Sequence, residues 1–328
     1  MSETVLSVED LRVHFPVRTG GFLSARTIPL KAVDGVSFTL SKGETLGVVG
    51  ESGCGKSTLG RAVLRLIEPT AGKVVWMGED LAALDKPKLR DKRRDLQLIF
   101  QDPLASLNPR MTIGDILREP LTVHEPSLSR QQANVRVEQM MREVGLLPEM
   151  KNRYPHEFSG GQCQRISIAR AMILNPKLVI CDEPVSALDV SIQAQIVNLL
   201  KRLQREHGVS LIFISHDLSV VRYISHRILV LYLGRMMEMA DRDALFANPL
   251  NPYTRTLIDA VPIPDPEKER AKAPLLPTGD LPSPLNPPSG CVFRTRCPQA
   301  TELCARTAPE WRAAASGHFV ACHFADVT

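Results

Sequence analysis

Val48-Val49-Gly50-Glu51-Ser52-Gly53-Cys54-Gly55-Lys56-Ser57-Thr58, followed by the helix-compatible run Leu59 to Leu66, decides the fold of this 328-residue chain. An apolar strand enters a glycine-rich turn and the turn opens a helix, which is the context a phosphate-binding loop requires. Glycines permit the tight curvature that aims successive N–H groups at phosphate oxygens, and the helix N-terminus adds partial positive charge. Gly50, Glu51, Ser52, Gly53, Cys54, Gly55, Lys56, Ser57 and Thr58 are therefore candidate nucleotide contacts. Lys56 is expected to reach the β- and γ-phosphates, and Ser57 to ligate magnesium. The alternative, a glycine-rich turn with no nucleotide, is disfavoured by that context.

Around this loop, apolar runs recur at Thr45 to Gly50, Leu96 to Gln101, Leu178 to Asp182, Ser210 to Ser215 and Arg227 to Leu233, most followed by helical patterning. Such alternation predicts a parallel sheet flanked by helices, an α/β fold. The run Leu178-Val179-Ile180-Cys181 ends in Asp182-Glu183, so a strand tip delivers two carboxylates to one sheet edge. Asp182 suits magnesium held through water, and Glu183 suits polarising a water for in-line attack on the γ-phosphate. Taken alone, the same pair reads equally as an acidic strand end facing solvent. Between Ser129 and Glu143, Val135, Val137, Met140, Met141 and Val144 fall at helical spacing, with Gly145 as the stop. This segment reads as a helical insertion.

Forty Lys and Arg against 36 Asp and Glu leave a formal charge of +4, which demands no broad nucleic-acid surface. The mixed charges from Lys86 to Asp95 read as a solvated face. Val209 to Ser215 and Ile228 to Gly234 are far shorter than the roughly 20 apolar residues that cross a bilayer. The start, Met1-Ser2-Glu3-Thr4, lacks the features of a secretory signal. A cytosolic chain is expected, whose seven cysteines stay reduced unless they bind metal.

Phe158-Ser159-Gly160-Gly161-Gln162-Cys163-Gln164-Arg165, just upstream of the acid-tipped strand, strongly resembles the signature motif of ABC transporter ATPases. Gln101 in Phe100-Gln101-Asp102-Pro103 resembles that family's Q-loop, Ser186-Ala187-Leu188-Asp189 its D-loop, and His216 in Ser215-His216-Asp217 its switch histidine. Five motifs stand in family order. Phe158 replaces the usual leucine and Cys163 a common glutamine, and neither change removes a phosphate donor. The resemblance implies a P-loop ABC ATPase core, with a RecA-like parallel sheet, an antiparallel β subdomain and a helical subdomain near residues 104–170. It also implies ATP with Mg2+, and a head-to-tail pair of ATPases in which Ser159, Gly160, Gly161 and Gln162 close over the partner's ATP. Asp189 would lie near that seam. His216 would contact the γ-phosphate, and Gln101 would sense magnesium and the attacking water. Phe15 is a candidate adenine-stacking residue, with core packing an equal alternative; Pro16 to Leu30 is inserted before the Lys31-Ala32-Val33 strand.

Eleven of the 25 prolines lie between Pro262 and Pro309, which places a boundary near residue 250. Residues 1–250 and 251–328 are the expected domains, with Pro262 to Gly290 as an extended linker. Four cysteines follow with the spacing Cys291-x5-Cys297-x6-Cys304-x17-Cys322. Clustering in a reducing compartment points to metal ligation, but the close CxxC pairs of many zinc sites are absent. Thiolate-only ligation suits an iron-sulfur cluster as well as zinc. Cys54, Cys163 and Cys181 read as small fillers inside nucleotide motifs, and His318 and His323 as alternates in a zinc site.

Asn251-Pro252-Tyr253-Thr254, followed by Gly290-Cys291-Val292-Phe293-Arg294-Thr295-Arg296-Cys297-Pro298, resembles the C-terminal extension of oligopeptide and dipeptide import ATPases. This narrower resemblance implies a 4Fe-4S cluster on the four cysteines, with a zinc knot or reduced structural thiols as alternatives. It implies an ATP-hydrolysing subunit, peripheral on the cytoplasmic face of the inner membrane. Its partners would be a second, homologous ATPase, two transmembrane permease subunits and an extracytoplasmic peptide-binding protein, with no nucleic acid. Nickel or glutathione import stays open as cargo. A soluble ABC protein of translation or DNA repair would carry two cassettes or a long coiled-coil insertion, and a non-hydrolysing subunit would not need intact Lys56, Glu183 and His216. The cysteine module is expected to stiffen the extension against the ATPase core rather than to take part in phosphoryl transfer.

Overall fold

Twelve strands carry the two sheets of the computed structural model, which describes residues 3–19, 26–262 and 279–325. They are β1 (Thr4–Thr19), β2 (Arg26–Ser41), β3 (Thr45–Val49), β4 (Ala71–Trp76), β5 (Glu79–Asp80), β6 (Leu96–Ile99), β7 (Leu178–Asp182), β8 (Ser210–Ile214), β9 (Arg227–Tyr232), β10 (Arg235–Asp241), β11 (Trp311–Ala315) and β12 (His318–Ala321). The five strands expected from the sequence are β3, β6, β7, β8 and β9. Two compact units divide the chain: residues 1–5, 40–45 and 83–214 form one, and residues 6–39, 46–82 and 215–328 the other.

In the first unit, β6, β7 and β8 run parallel, with Leu96 opposite Leu178, and Leu178 opposite Ser210. Every residue of β7 and β8 is buried, as expected for unbroken apolar strands covered on both faces. The helix Val190–His207 buries Ile196, Leu199, Leu200 and Leu203, and ends where Gly208 takes the left-handed conformation. The helices Ile113–His124, Arg130–Glu143 and Gly160–Met172 pack against one another. Ser129 and Gln132 start the second of these with a reciprocal capping box, and it ends before Gly145, at φ +76°. The helix read from the valine and methionine spacing is therefore present with its stop.

In the second unit, one sheet has the order β2-β1-β4-β5, antiparallel where β4 meets β1 and β5. The other strands run β11-β12-β10-β9-β3. β3 and β9 are parallel, and the remaining pairs are antiparallel. Leu233 and Gly234 both stand at positive φ between β9 and β10, which a two-residue hairpin with the correct twist requires. Glu238 on β10 faces Val320 on β12, so residues beyond 250 extend the sheet whose β3 leads into the phosphate loop. This continuation was not expected, because β11 and β12 are only five and four residues long. A buried knot pins it. Glu238, wholly buried, accepts hydrogen bonds from the backbone of Leu250 and Asn251 and pairs with His318 Nε2 at 2.7 Å. Asn251 Nδ2 donates to the Met237 and Ala321 carbonyls.

Residues 263–278 of the expected linker and 20–25 of the early insertion lie outside the described residues. No described helix is long and apolar enough to cross a membrane.

Candidate functional site

β3 delivers the chain into the phosphate loop, and the loop's glycines are dictated by crowding. A Cβ on Gly50, at φ +151°, would stand 2.2 Å from the Leu231 carbonyl oxygen, and one on Gly55, at φ +102°, 2.0 Å from that of Ala32. Only glycine fits so close an approach of backbone to backbone. Lys56 begins the helix Lys56–Val63, is 4% exposed, and donates from Nζ to the Gly50 and Glu51 carbonyls at 2.8 and 3.0 Å. A cation thus lies curled inside a loop whose helix N-terminus is also positive. Ser57 and Thr58 are half-buried in the first turn, Ser52 and Gly53 are exposed, and Cys54 is buried with its thiol pKa raised by that burial. Phe15 is half-buried on β1 in the same unit. His216 is exposed, just before Asp217, whose carboxylate caps the helix Leu218–Ile224.

In the first unit, β7 carries the acid tip. Asp182 is 1% exposed and ends the strand. Glu183 follows at φ +47°, an uncommon conformation for a side chain of its type and a mark of local strain. Its backbone N–H donates to the Ile214 carbonyl at 3.0 Å, which turns the residue out of the strand. Gln101, exposed just beyond β6, donates from Nε2 to Glu183 Oε2 at 3.1 Å. The two residues are 82 apart in sequence and meet because β6 and β7 are parallel neighbours.

Ser159 caps the helix Gly160–Met172, its hydroxyl accepting from the Gln162 N–H while Gln162 Oε1 accepts from the Ser159 N–H. Ser159 and Gly160 are exposed. A Cβ on Gly161 would stand 2.7 Å from Ile192 Cγ2, whereas one on Gly160 would meet nothing nearer than Leu188 Cδ2 at 3.7 Å. Gly161 is thus demanded by packing within the chain, and Gly160 is not. Asp189 and Val190 open the helix Val190–His207 as an exposed corner, Val190 being 82% exposed.

The four C-terminal cysteines converge. Cys291, Cys297, Cys304 and Cys322 all line one cavity of about 20 Å³, beside Phe293 and His323. Burial first, and then possible charge on Cys304, Cys297 and Cys322, pushes the Cys291 thiol up to about 11. Among the described residues, no group of three or more His, Cys, Asp or Glu side chains could hold a metal ion. His323 Nε2 donates to the Thr307 carbonyl, and His318 is engaged by Glu238. Cys54, Cys163 and Cys181 are all buried, as small fillers would be.

Two residues that the sequence reading quoted but gave no role reach the phosphate loop. The Tyr253 hydroxyl accepts from the Glu51 N–H, and Arg296 pairs with the Glu51 carboxylate. No spacing rule could have found them, since they lie 202 and 245 residues from Glu51.

A family model described as ABC transporter matches residues 33–186, and one described as oligopeptide/dipeptide transporter, C-terminal region, matches residues 237–304. The oligopeptide transport ATP-binding protein OppF of Salmonella typhimurium is 62% identical over 308 residues, covering 94% of this chain and 92% of that one. The oligopeptide transport ATP-binding protein AppF of Bacillus subtilis is 53% identical over 322 residues, covering 98% and 97%. Among solved structures, the ATP-binding cassette MJ0796, in a dimeric post-hydrolysis state bound to ADP and Pi, matches with a TM-score of 0.64 and 28% identity, over 72% of this chain and 98% of that one.

Proposed function

This chain belongs to the ABC transporter ATP-binding proteins of the oligopeptide/dipeptide branch, and from that premise we infer that it hydrolyses ATP to power oligopeptide import. One observation carries the hydrolytic part: Glu183 stands off its strand tip at positive φ with its carboxylate held by Gln101. A base for water needs this kind of fixed, oriented carboxylate. ATP and Mg2+ are the expected ligands. We assign Lys56 to the β- and γ-phosphates, Ser57, Asp182 and Gln101 to the magnesium shell, Glu183 to the attacking water and His216 to the γ-phosphate. The loop from Gly50 to Thr58 cradles the phosphates through its N–H groups, and Phe15 is the proposed adenine-stacking side chain.

An ATPase subunit of an importer works with permease subunits. We propose two of these, a homologous second ATPase and an extracytoplasmic peptide-binding protein, with this chain peripheral on the cytoplasmic face of the inner membrane. The exposed signature turn at Ser159–Gly160 supports a head-to-tail ATPase pair, as does the dimeric state of MJ0796. The proposed functional division remains 1–250 for the ATPase, with a helical part near 104–170, and 251–328 for the cysteine module. Vesicles carrying the assembled complex should take up labelled oligopeptide only with ATP. Uptake of nickel or glutathione instead would replace the cargo, and uptake without ATP would overturn the reading.

We propose a 4Fe-4S cluster on Cys291, Cys297, Cys304 and Cys322, with zinc on the same thiols as the alternative. What supports the reading is that the four thiols, from Cys291, Cys297, Cys304 and Cys322, line one cavity. Bound there, the cluster would crosslink the turns at Cys291 and Cys297, the short helix Glu302–Arg306 that carries Cys304, and the segment at Cys322, in a module with little apolar core of its own. Anaerobically purified protein should be brown and contain iron and sulfide, and Cys297→Ser should bleach it and lower its Tm. Colourless protein with stoichiometric zinc would replace the cluster, and protein with no metal would remove the crosslink altogether.

A further inference from the structure

The phosphate loop contains one acidic side chain, Glu51, placed where ATP brings several negative charges. Its carboxylate accepts from Arg296 Nη1 on both oxygens, at 2.9 and 2.7 Å, and Arg296 is 8% exposed. The Glu51 N–H donates to the Tyr253 hydroxyl at 2.9 Å. Tyr232, Tyr253 and Phe293 pack around these contacts with ring centroids 4.7 to 5.4 Å apart. Phe293 and Arg296 lie between Cys291 and Cys297, so the segment that joins two of the clustered cysteines also grips the second residue of the loop.

We propose that Arg296 is a positioning residue of the nucleotide site: it neutralises Glu51 and anchors the phosphate loop to the C-terminal module, so that ATP affinity depends on that module. The proposal rests on the reading of residues 50–58 as the ATP phosphate cradle. Without Arg296, an unpaired carboxylate would repel the incoming phosphates, and a loosened loop would have to be ordered at the expense of binding.

The test is titration of the full chain with a fluorescent ATP analogue. Arg296→Met should weaken binding about tenfold, which is 1.4 kcal/mol. Arg296→Lys, which keeps the charge and loses the planar fork, should fall between it and the wild type. Adding Glu51→Gln to Arg296→Met should recover most of the lost affinity, because the unpaired charge is gone. A merely structural arginine would leave the double variant no better than the single one. Circular dichroism establishes that each variant is folded; if Arg296→Met is not, Arg296→Lys and the double variant carry the comparison. Lys56→Ala checks the reading underneath, and if it retains ATP the cradle assignment fails whatever Arg296 does. With Lys56→Ala inactive in binding, wild-type affinity in folded Arg296→Met, or no recovery in the double variant, overturns the proposal.

Discussion

Glu183→Gln is expected to bind ATP as the wild type does and to lose about 10²- to 10⁴-fold in turnover in the assembled transporter, the range for removal of a general base. The substitution keeps the shape of the side chain and its ability to accept a hydrogen bond from Gln101 Nε2, now 3.1 Å from Oε2. What it loses is the negative charge that draws a proton from water. The backbone at φ +47° is held by the bond from the residue 183 N–H to the Ile214 carbonyl, which does not involve the side chain. The fold should therefore survive. Single-turnover phosphate release, measured beside the ATP dissociation constant, separates the two effects. Near-wild-type release would remove Glu183 from the chemistry. A loss of ATP affinity matching the loss of rate would make it a binding residue instead.

The parts of this molecule legible in its sequence are those whose physics is local. The phosphate loop is local because its curvature needs glycines at fixed offsets, and Gly50 and Gly55 sit where a Cβ would collide with backbone. β7 and β8 are legible because strands buried on both faces must be apolar throughout. The bond from Gln101 to Glu183 is not local: each residue could be named from its motif, but their contact depends on β6 pairing with β7. The sheet extension by β11 and β12 was illegible for a similar reason. Its short strands owe their place to Glu238, Asn251 and His318, a polar knot that a hydrophobic pattern does not reveal. The cysteine module was expected to stiffen the extension against the ATPase core without a part in phosphoryl transfer, and no contact with the phosphate loop was foreseen. Arg296, one residue before Cys297, brings it to Glu51, and an arginine among other arginines carries no sequence mark of such a partner.

Gly160→Asp should separate the ATP a subunit binds from the ATP it helps to hydrolyse. The position is exposed, and a Cβ there would have its nearest neighbour, Leu188 Cδ2, at an ordinary 3.7 Å. Aspartate in the first turn of a helix is also favourable to the helix dipole, by about 0.3–1 kcal/mol. The isolated chain should therefore fold and bind ATP with unchanged affinity. In the proposed head-to-tail pair, however, the new carboxylate would stand at the helix N-terminus offered to the neighbouring subunit's phosphates, where it would replace attraction with repulsion. Turnover should fall about 10²- to 10³-fold, the scale seen when an electrostatic stabiliser of the transition state is removed. Gly161 would be a poorer probe, because a Cβ there collides with Ile192 within the same chain and would confuse misfolding with loss of the shared site. If Gly160→Asp weakened ATP binding by the isolated chain, the signature turn would be serving its own nucleotide. Wild-type turnover in the assembled complex would mean that it serves none.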